Sequence, residues 1–488
     1  MLHHDTSLPR AKPEEADVAP SGVLSFVRAA NERKIGLHGF MLLRHGRVAA
    51  EGWWRPYGPD RPHIANSLTK SFVSIAAGIA ADEGMLSVSD PVARFFPEYA
   101  IAFQESGMEG LTVEHLLTMT TGHDRNLTTS KLKRAFLEDE LIRSIGNRED
   151  GDFVRAFCET PAAARPGRCF FYNSGASHML AAVIEKATGR LLEDYAVERL
   201  FRPLGIGSPS WERCPLGGTI GGWGLRLRLE DVAKLGQLLL GEGMWDGKRI
   251  VSAEWIRAAT APQTDSATND LPPDRFPDWM EGYGYQFWQC RHNAFRGDGT
   301  MGQFCVVLPD RDAVVAIHGG TADMQGVLDL VWEHLLPSLD GVPADSGAAS
   351  AELERELEGL SIAEPRPERS AAYAGSFRCL ARNKEDEVTE VALQLGEASG
   401  SLVWRTEGRE RRLSFGFDGW RGENVLAGEL SYALGTWLSD RELVIDVCRV
   451  ETPVRNRLTC RFDGSRLYLE YVHFDHVQVR REWVGEFV

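Results

Sequence analysis

Between His38 and Tyr57 the chain reads HGFMLLRHGRVAAEGWWRPY: an apolar run, a polar break at His45-Gly46, and a second apolar run. This pattern predicts two strands joined by a tight turn. In SLTKSFVSIAAGIAADEGML, which follows, Phe72, Ile75, Ile79 and Ala80 recur at helical spacing and Gly84 can close the helix. The stretch from Gln104 to Gly243 predicts mostly helix. Thr112 can cap LTVEHLLTMTTG, and both HMLAAVIEKATG and LEDVAKLGQLLLGEG end in glycine. Beyond Gly282 the runs YGYQFWQC, FCVVLP and AVVAIHGG predict strands, and MQGVLDLVWEHLLP predicts a helix. Strands at both ends with helices between them predict an α+β domain: an antiparallel sheet flanked by helices, a helical lobe, and a cleft between them.

The pattern changes after Pro337. Residues 337–370 are rich in Pro, Ala, Ser and Glu and read as a linker with one short acidic helix. Short alternating strands with frequent glycine follow, among them SGSLVWRT, RELVIDVCRV and SRLYLEYVHF. Seven or eight such strands predict an antiparallel β-barrel or sandwich. The expected organisation is a lead-in at 1–20, a first domain at 21–340, a linker at 341–370 and a β-domain at 371–488.

Charge narrows the function. With 54 Lys+Arg against 70 Asp+Glu the formal charge is −16, which disfavours nucleic acid and anionic lipid as partners. No run approaches the roughly 18 apolar residues of a membrane span. The first twenty residues, MLHHDTSLPRAKPEEADVAP, hold no apolar export core, so the expected compartment is the cytoplasm. The eight cysteines form no C-x-x-C pair and read as reduced, mostly buried thiols. His3-His4 reads as terminus, and no ligand cluster or phosphate loop suggests a metal or cofactor.

The sharpest local chemistry is Ser67-Leu68-Thr69-Lys70 at the head of a buried-looking helix. Spacing of three puts hydroxyl and amine on one helix face, and the first turn offers free N–H groups to an oxyanion. Burial behind the serine should desolvate Lys70 and lower its pKa until it can accept a proton. Alone, the pattern is weak, and in most chains it marks a capping serine and a solvated lysine.

Its company is more specific. NSLTKSF is followed by EGMLSVSDPVARFFPEY, LTVEHLLTMTTGH, PGRCFFYNSGASHMLAAVIEKATG, FRPLGI and GGWGLRLRLEDVAKLGQLLL. Over about residues 20–340 this resembles the serine β-lactamase and penicillin-binding-protein superfamily, in its class C-like branch of esterases, D-amino-acid peptidases and amide hydrolases. The resemblance implies Ser67 as nucleophile. It places Tyr172 on the tyrosine of the Y-x-N motif, as the general base that later protonates the leaving group. Here the motif reads Tyr172-Asn173-Ser174, so a shorter hydroxyl, Ser174, stands where the family has an amide. The family's third motif, K-T-G or H-x-G, falls on Gly297-Asp298-Gly299 before the FCVV strand, with the Thr300 N–H joining that of Ser67 in an oxyanion hole. His318-Gly319-Gly320 is the competing match, at the wrong end of its strand. Gly297 lacks the cation that would grip a substrate carboxylate unless Arg296 replaces it, so little or no β-lactamase activity is expected. Trp223, Tyr283, Tyr285 and Trp288 fall in cleft-flanking segments, with Trp223 and Tyr283 expected to touch substrate along with Ser174, Gly297, Asp298 and Gly299.

These observations predict a cofactor-free serine hydrolase acting on a small ester, amide or peptide. A catalytically silent ligand-binding module and a D-amino-acid peptidase or acyl transferase are the alternatives. Oligomeric state and the role of the β-domain are not legible in the sequence.

Overall fold

A computed structural model describes residues 7–124, 151–207, 209–267, 271–342 and 347–362, then 375–487 with breaks at 381–387, 407–408, 427–428, 465 and 475–478. The chain divides into two compact units, one of Met1–Gly52 with Pro62–Gly359, the other of Trp53–Arg61 with Leu360–Val488.

The first unit opens with helix α1 (Pro20–Glu32), then strands β1 (Leu37–Arg44) and β2 (Arg47–Trp53), which turn at His45-Gly46 through two positive-φ residues. A short strand β3 (His63–Ile64) and a 3-10 turn at Asn66–Leu68 lead into α2 (Thr69–Asp82). Every α2 residue from Thr69 to Ala80 is buried, as expected for a helix that is apolar on nearly all sides. Gly84 follows it with φ +71, so the helix closes where the sequence predicted. Next come α3 (Ser174–Thr188), β4 (Ser210–Trp211), β5 (Leu225–Leu227), α4 (Leu229–Leu240), and the small hairpin β6 (Met244–Trp245) and β7 (Lys248–Arg249). Strands β8 (Trp288–Cys290), β9 (Ala294–Gly299), β10 (Gln303–Leu308) and β11 (Ala313–Gly319) complete a six-stranded antiparallel sheet of order β2-β1-β11-β10-β9-β8. Helix α5 (Met324–Leu330) continues as further helical turns to Ser338, and the acidic α6 (Gly347–Gly359) packs on α1, where Arg28 pairs with Glu352 at 2.5 Å. One sheet is thus built from both ends of the unit, with Phe26 of α1 against Phe40 of β1 and with α4 lying against β10 and β11.

Three expectations are corrected. The stretch 104–243 is helical only in pieces, because the segment between Arg202 and Arg228 folds as turns and two short strands. YGYQFWQC is a strand only over Trp288–Cys290, because Gln286 takes φ +65 and turns the chain back. Gly297-Asp298-Gly299 precedes the FCVV strand, as read, but does not head it. It ends β9, a strand of its own, which pairs with β10 through Gly299 and Gln303.

In the second unit ten strands replace the seven or eight expected. They are β12 (Gly375–Leu380), β13 (Val388–Leu395), β14 (Ser399–Thr406), β15 (Arg409–Gly416), β16 (Arg421–Leu426), β17 (Glu429–Ser439), β18 (Glu442–Arg449), β19 (Arg455–Asp463), β20 (Arg466–Phe474) and β21 (Val479–Phe487). They form one curled antiparallel sheet, a half-barrel, in which Gly416 of β15 meets Leu434 of β17 by a single parallel bridge. Its apolar face carries Leu393, Phe415, Leu443, Ile445 and Leu467. The segment Trp53–Arg61 belongs to this unit: Tyr57 packs on Cys448 and Val450, and the Arg61 guanidinium lies 5.0 Å from the Tyr432 ring centre. The expected boundary near 371 and His3-His4 lie outside the described residues. Cys158, Cys169, Cys214, Cys290, Cys305, Cys448 and Cys460 are free thiols, Cys169 exposed and the other six buried. No described helix is long and apolar enough to cross a membrane.

Candidate active site

The serine-lysine pair is assembled locally. Asn66 takes φ +48, a left-handed conformation that asparagine tolerates, and its Nδ2 donates to the Thr300 carbonyl at 2.8 Å. That bond ties the turn before Ser67 to the turn after β9. Ser67 lies in the 3-10 turn and Lys70 in the first turn of α2, and Lys70 Nζ reaches Ser67 Oγ at 3.0 Å. Lys70 is 1% exposed. Its other two acceptors are Ser174 Oγ at 3.0 Å and the Gly222 carbonyl at 2.7 Å. All three are uncharged, so nothing in direct contact compensates for lost hydration, and burial lowers the Lys70 pKa to about 7, with the Asp298 charge opposing.

Ser174 stands at the start of α3 and supplies the hydroxyl to Lys70, while Asn173 caps the helix, its Oδ1 accepting from the Gly175 N–H at 2.9 Å. The shifted Y-N-S motif therefore divides two jobs between neighbours. Tyr172 is partly exposed, yet its ring is packed among aromatics, 5.6 Å from Trp288 in a stacked arrangement and 6.3 Å from Tyr283. Lys70 Nζ lies 5.0 Å from its ring centre. Burial first and the Asp298 charge second raise the Tyr172 pKa well above its ordinary value, against a lowering hydrogen bond with Ser67.

Strand β9 closes on the Ser67 turn. A Cβ on Gly299 would lie 2.1 Å from the Ala65 carbonyl oxygen and 3.1 Å from Ser67 N, and one on Gly297 would lie 2.4 Å from Ser71 Oγ. Only glycine permits this approach, and it brings Thr300 beside the Ser67 turn. Arg296 and Asp298, two residues apart, share the other face of the strand. Arg296 is fully buried, and its Nε donates to Asp298 Oδ2 at 3.0 Å. Its Nη1 donates to the Asp278 and Gln289 carbonyls at 2.7 and 3.3 Å and to Cys290 Sγ at 2.9 Å. The guanidinium is thus committed inside the protein, and the suggestion that Arg296 supplies the missing carboxylate grip does not hold.

Other expected contacts fall outside this cluster. Tyr283 is 1% exposed and packs edge-on against Trp288 at 4.7 Å, and Trp223 lies partly buried against Phe153, Cys214 and Ile220. His318 stacks on His63 at 4.7 Å, a buried strand-end pair. Two positions escaped the sequence reading. Gly222 contributes the third Lys70 acceptor, and a Cβ there would crowd the Ser174 carbonyl oxygen at 2.9 Å; the run GGWG was its available signal. Gln286 stitches the lobe together, its Nε2 donating to the Leu116 and Leu117 carbonyls and its Oε1 accepting from Ser177 at 2.7 Å. Nothing local in the sequence marks it.

The sequence profile of the Beta-lactamase family matches residues 26–324, and the chain belongs to that family. Over 287 residues it is 27% identical to the 6-aminohexanoate-dimer hydrolase of Paenarthrobacter ureafaciens, covering 57% of this chain and 70% of that protein. Over 193 residues it is 28% identical to Esterase EstB of Burkholderia gladioli, covering 37% of this chain and 48% of that one. Among solved structures, a Bacillus anthracis chain assigned as a 6-aminohexanoate-dimer hydrolase superposes with TM-score 0.57 at 19% identity, over 70% of this chain and 90% of that one. At that identity the superposition speaks for the fold. The family and these relatives support hydrolase activity.

Proposed function

We propose that this chain is a serine hydrolase that cleaves a small ester or amide through an acyl-enzyme on Ser67. The observation that carries the reading is Lys70, buried, 3.0 Å from Ser67 Oγ, with a pKa lowered to about 7 and no carboxylate in its hydrogen-bonding shell. As a neutral amine it can keep Ser174 Oγ and the Gly222 carbonyl as acceptors and turn its lone pair to the Ser67 hydroxyl. The raised pKa of Tyr172 argues against a phenolate, so the base in this reading is Lys70, not Tyr172.

Ser67 Oγ attacks the carbonyl carbon as its proton passes to Lys70 Nζ. The tetrahedral oxyanion rests on the N–H groups of Ser67 and Thr300, which the close approach at Gly299 supports. The bond to the alkoxide or amine breaks as the Tyr172 hydroxyl gives that group a proton, and the Lys70 ammonium returns one to Tyr172. Water then attacks the acyl carbon and loses a proton to Lys70; the bond from that carbon to Ser67 Oγ breaks, Lys70 returns the proton to Oγ, and the carboxylic acid leaves. With Gly297 bare and Arg296 held by Asp298, neither third-motif position offers a cation to a β-lactam carboxylate. Ester cleavage is the easier reaction, since alkoxides leave more readily than amines.

The rate of p-nitrophenyl acetate and butyrate cleavage by wild type and Ser67→Ala tests the reading. A fall of about 10³-fold or more is expected; equal rates in the two proteins would overturn Ser67 as nucleophile.

A further inference from the structure

Behind Tyr172 the side chains form a layered stack. The Arg296 guanidinium lies 4.2 Å from the Trp279 ring centre and 5.7 Å from that of Trp288. Trp288 stacks on Tyr172 at 5.6 Å with 18° between the planes, and Lys70 Nζ lies 5.0 Å over the other ring. Asp298 locks the stack from the side, accepting from Arg296 Nε at 3.0 Å and from the Trp288 side chain. The nearest other carboxylate, Asp278, is spent elsewhere: it accepts from Arg291 at 2.8 Å, Trp332 at 3.0 Å and Gln325 at 2.6 Å. Arg296 is 0% exposed, and its Nη2 has no hydrogen-bond partner among the described residues. A buried cation with an unmet donor is costly, and an apolar replacement of the pair would be as stable or more so.

We infer that Arg296 and Asp298 are positioning residues: through Trp288 they seat the Tyr172 ring beside Lys70, and their carboxylate sets a negative charge facing that acid-base pair. The inference rests on the Ser67 reading above. The groups that bear on Lys70 are Ser67 on its own helix, Ser174 on α3, the Gly222 carbonyl, Tyr172, and Asp298 on β9. Those that bear on Asp298 are Arg296, Trp288 and Lys70. Asp298 is therefore the one carboxylate in either set. A negative charge there favours the Lys70 ammonium, so removing it makes the neutral amine available at lower pH.

The experiment is the pH profile of kcat/KM for p-nitrophenyl acetate on the full chain. Asp298→Asn should move the acid limb to lower pH by about half a unit to one unit, less than the one to three units of a charge in direct contact. Arg296→Lys keeps the charge but loses the flat layer; it should leave the limb in place and lower kcat about tenfold with KM little changed. Should Asp298→Asn not fold, Arg296→Met/Asp298→Asn removes both buried charges together and should show the same downward movement. A folded Asp298 variant whose acid limb stays at the wild-type pH overturns the inference, whatever its rate. Esterase activity that survives Ser67→Ala would instead overturn the reading it rests on, so the two failures are separable.

Discussion

Two lysines in the first unit are equally withdrawn from water, and they are chemically opposite. Lys70 is 1% exposed and Lys234, on α4, is 0% exposed. Lys234 Nζ donates to the Gly205 carbonyl at 2.9 Å and lies 3.7 Å from Asp231 Oδ1, one turn back on the same helix. Lys70 bonds two hydroxyls and a carbonyl. Among the described residues a carboxylate stands within ion-pair distance of Lys234, and none touches Lys70. Burial by itself therefore marks no catalytic lysine. The uncharged set of acceptors is what sets Lys70 apart, and with burial lowering its pKa to about 7 it is the feature on which the proposed base rests.

The comparison breaks most visibly at Lys70→Met. Esterase activity should fall by about 10³-fold or more while the protein stays folded, since no counter-ion is orphaned. An active Lys70→Met protein would end the assignment of Lys70 as base.

The same substitution should change stability with a definite sign. In the folded protein Lys70 protonates about 3.5 units below its ordinary 10.5, so the unfolded chain binds the proton more tightly. The resulting penalty is full below pH 7 and fades as pH rises from 7 towards 10.5. Lys70→Met should therefore unfold at higher denaturant than wild type at pH 6, by up to roughly 4 kcal/mol, and the gap should narrow at pH 9. A gap that does not change with pH would place the effect in packing.

Lys234→Met leaves Asp231 its pairing with Arg228 at 3.0 Å but takes the donor from the Gly205 carbonyl, and should cost about 1 to 3 kcal/mol of stability. The activity of the molecules that remain folded should be unaltered, which a rate normalised to folded protein measures. Lost activity per folded molecule would give Lys234 a part in the site.

The smallest effect is expected at Ser174→Ala. Lys70 keeps two of its three acceptors, and kcat/KM should fall about tenfold, with the acid limb moving slightly down because an acceptor that favours the ammonium is gone. An unchanged rate would mean that Ser174 only fills space.

Much of this was legible along the chain. Spacing of three on a helix is enough to set Ser67 beside Lys70, and the apolar residues behind them are enough to predict that the amine is dry. The hairpin at His45-Gly46 and the close at Gly84 are local patterns of the same kind. The β-domain was also visible, though two or three of its strands were not, because short strands separated by tight turns merge when read as runs.

What the tertiary structure decided is which groups meet across long separations. Gly222 and Ser174 reach Lys70 from segments more than a hundred residues away, and no local pattern sets such distances. Arg296 reads in sequence as a spare cation next to the third motif. Its strand neighbours Asp298 and Trp288 take up that charge, because alternate residues of β9 share a face that is buried under Trp279. The chain alone determined that Ser67 lies beside Lys70, and the class of fold. Which partners a buried lysine meets is decided only when separate segments pack, because its environment includes every charge and dipole within a few ångströms, whatever the distance along the chain.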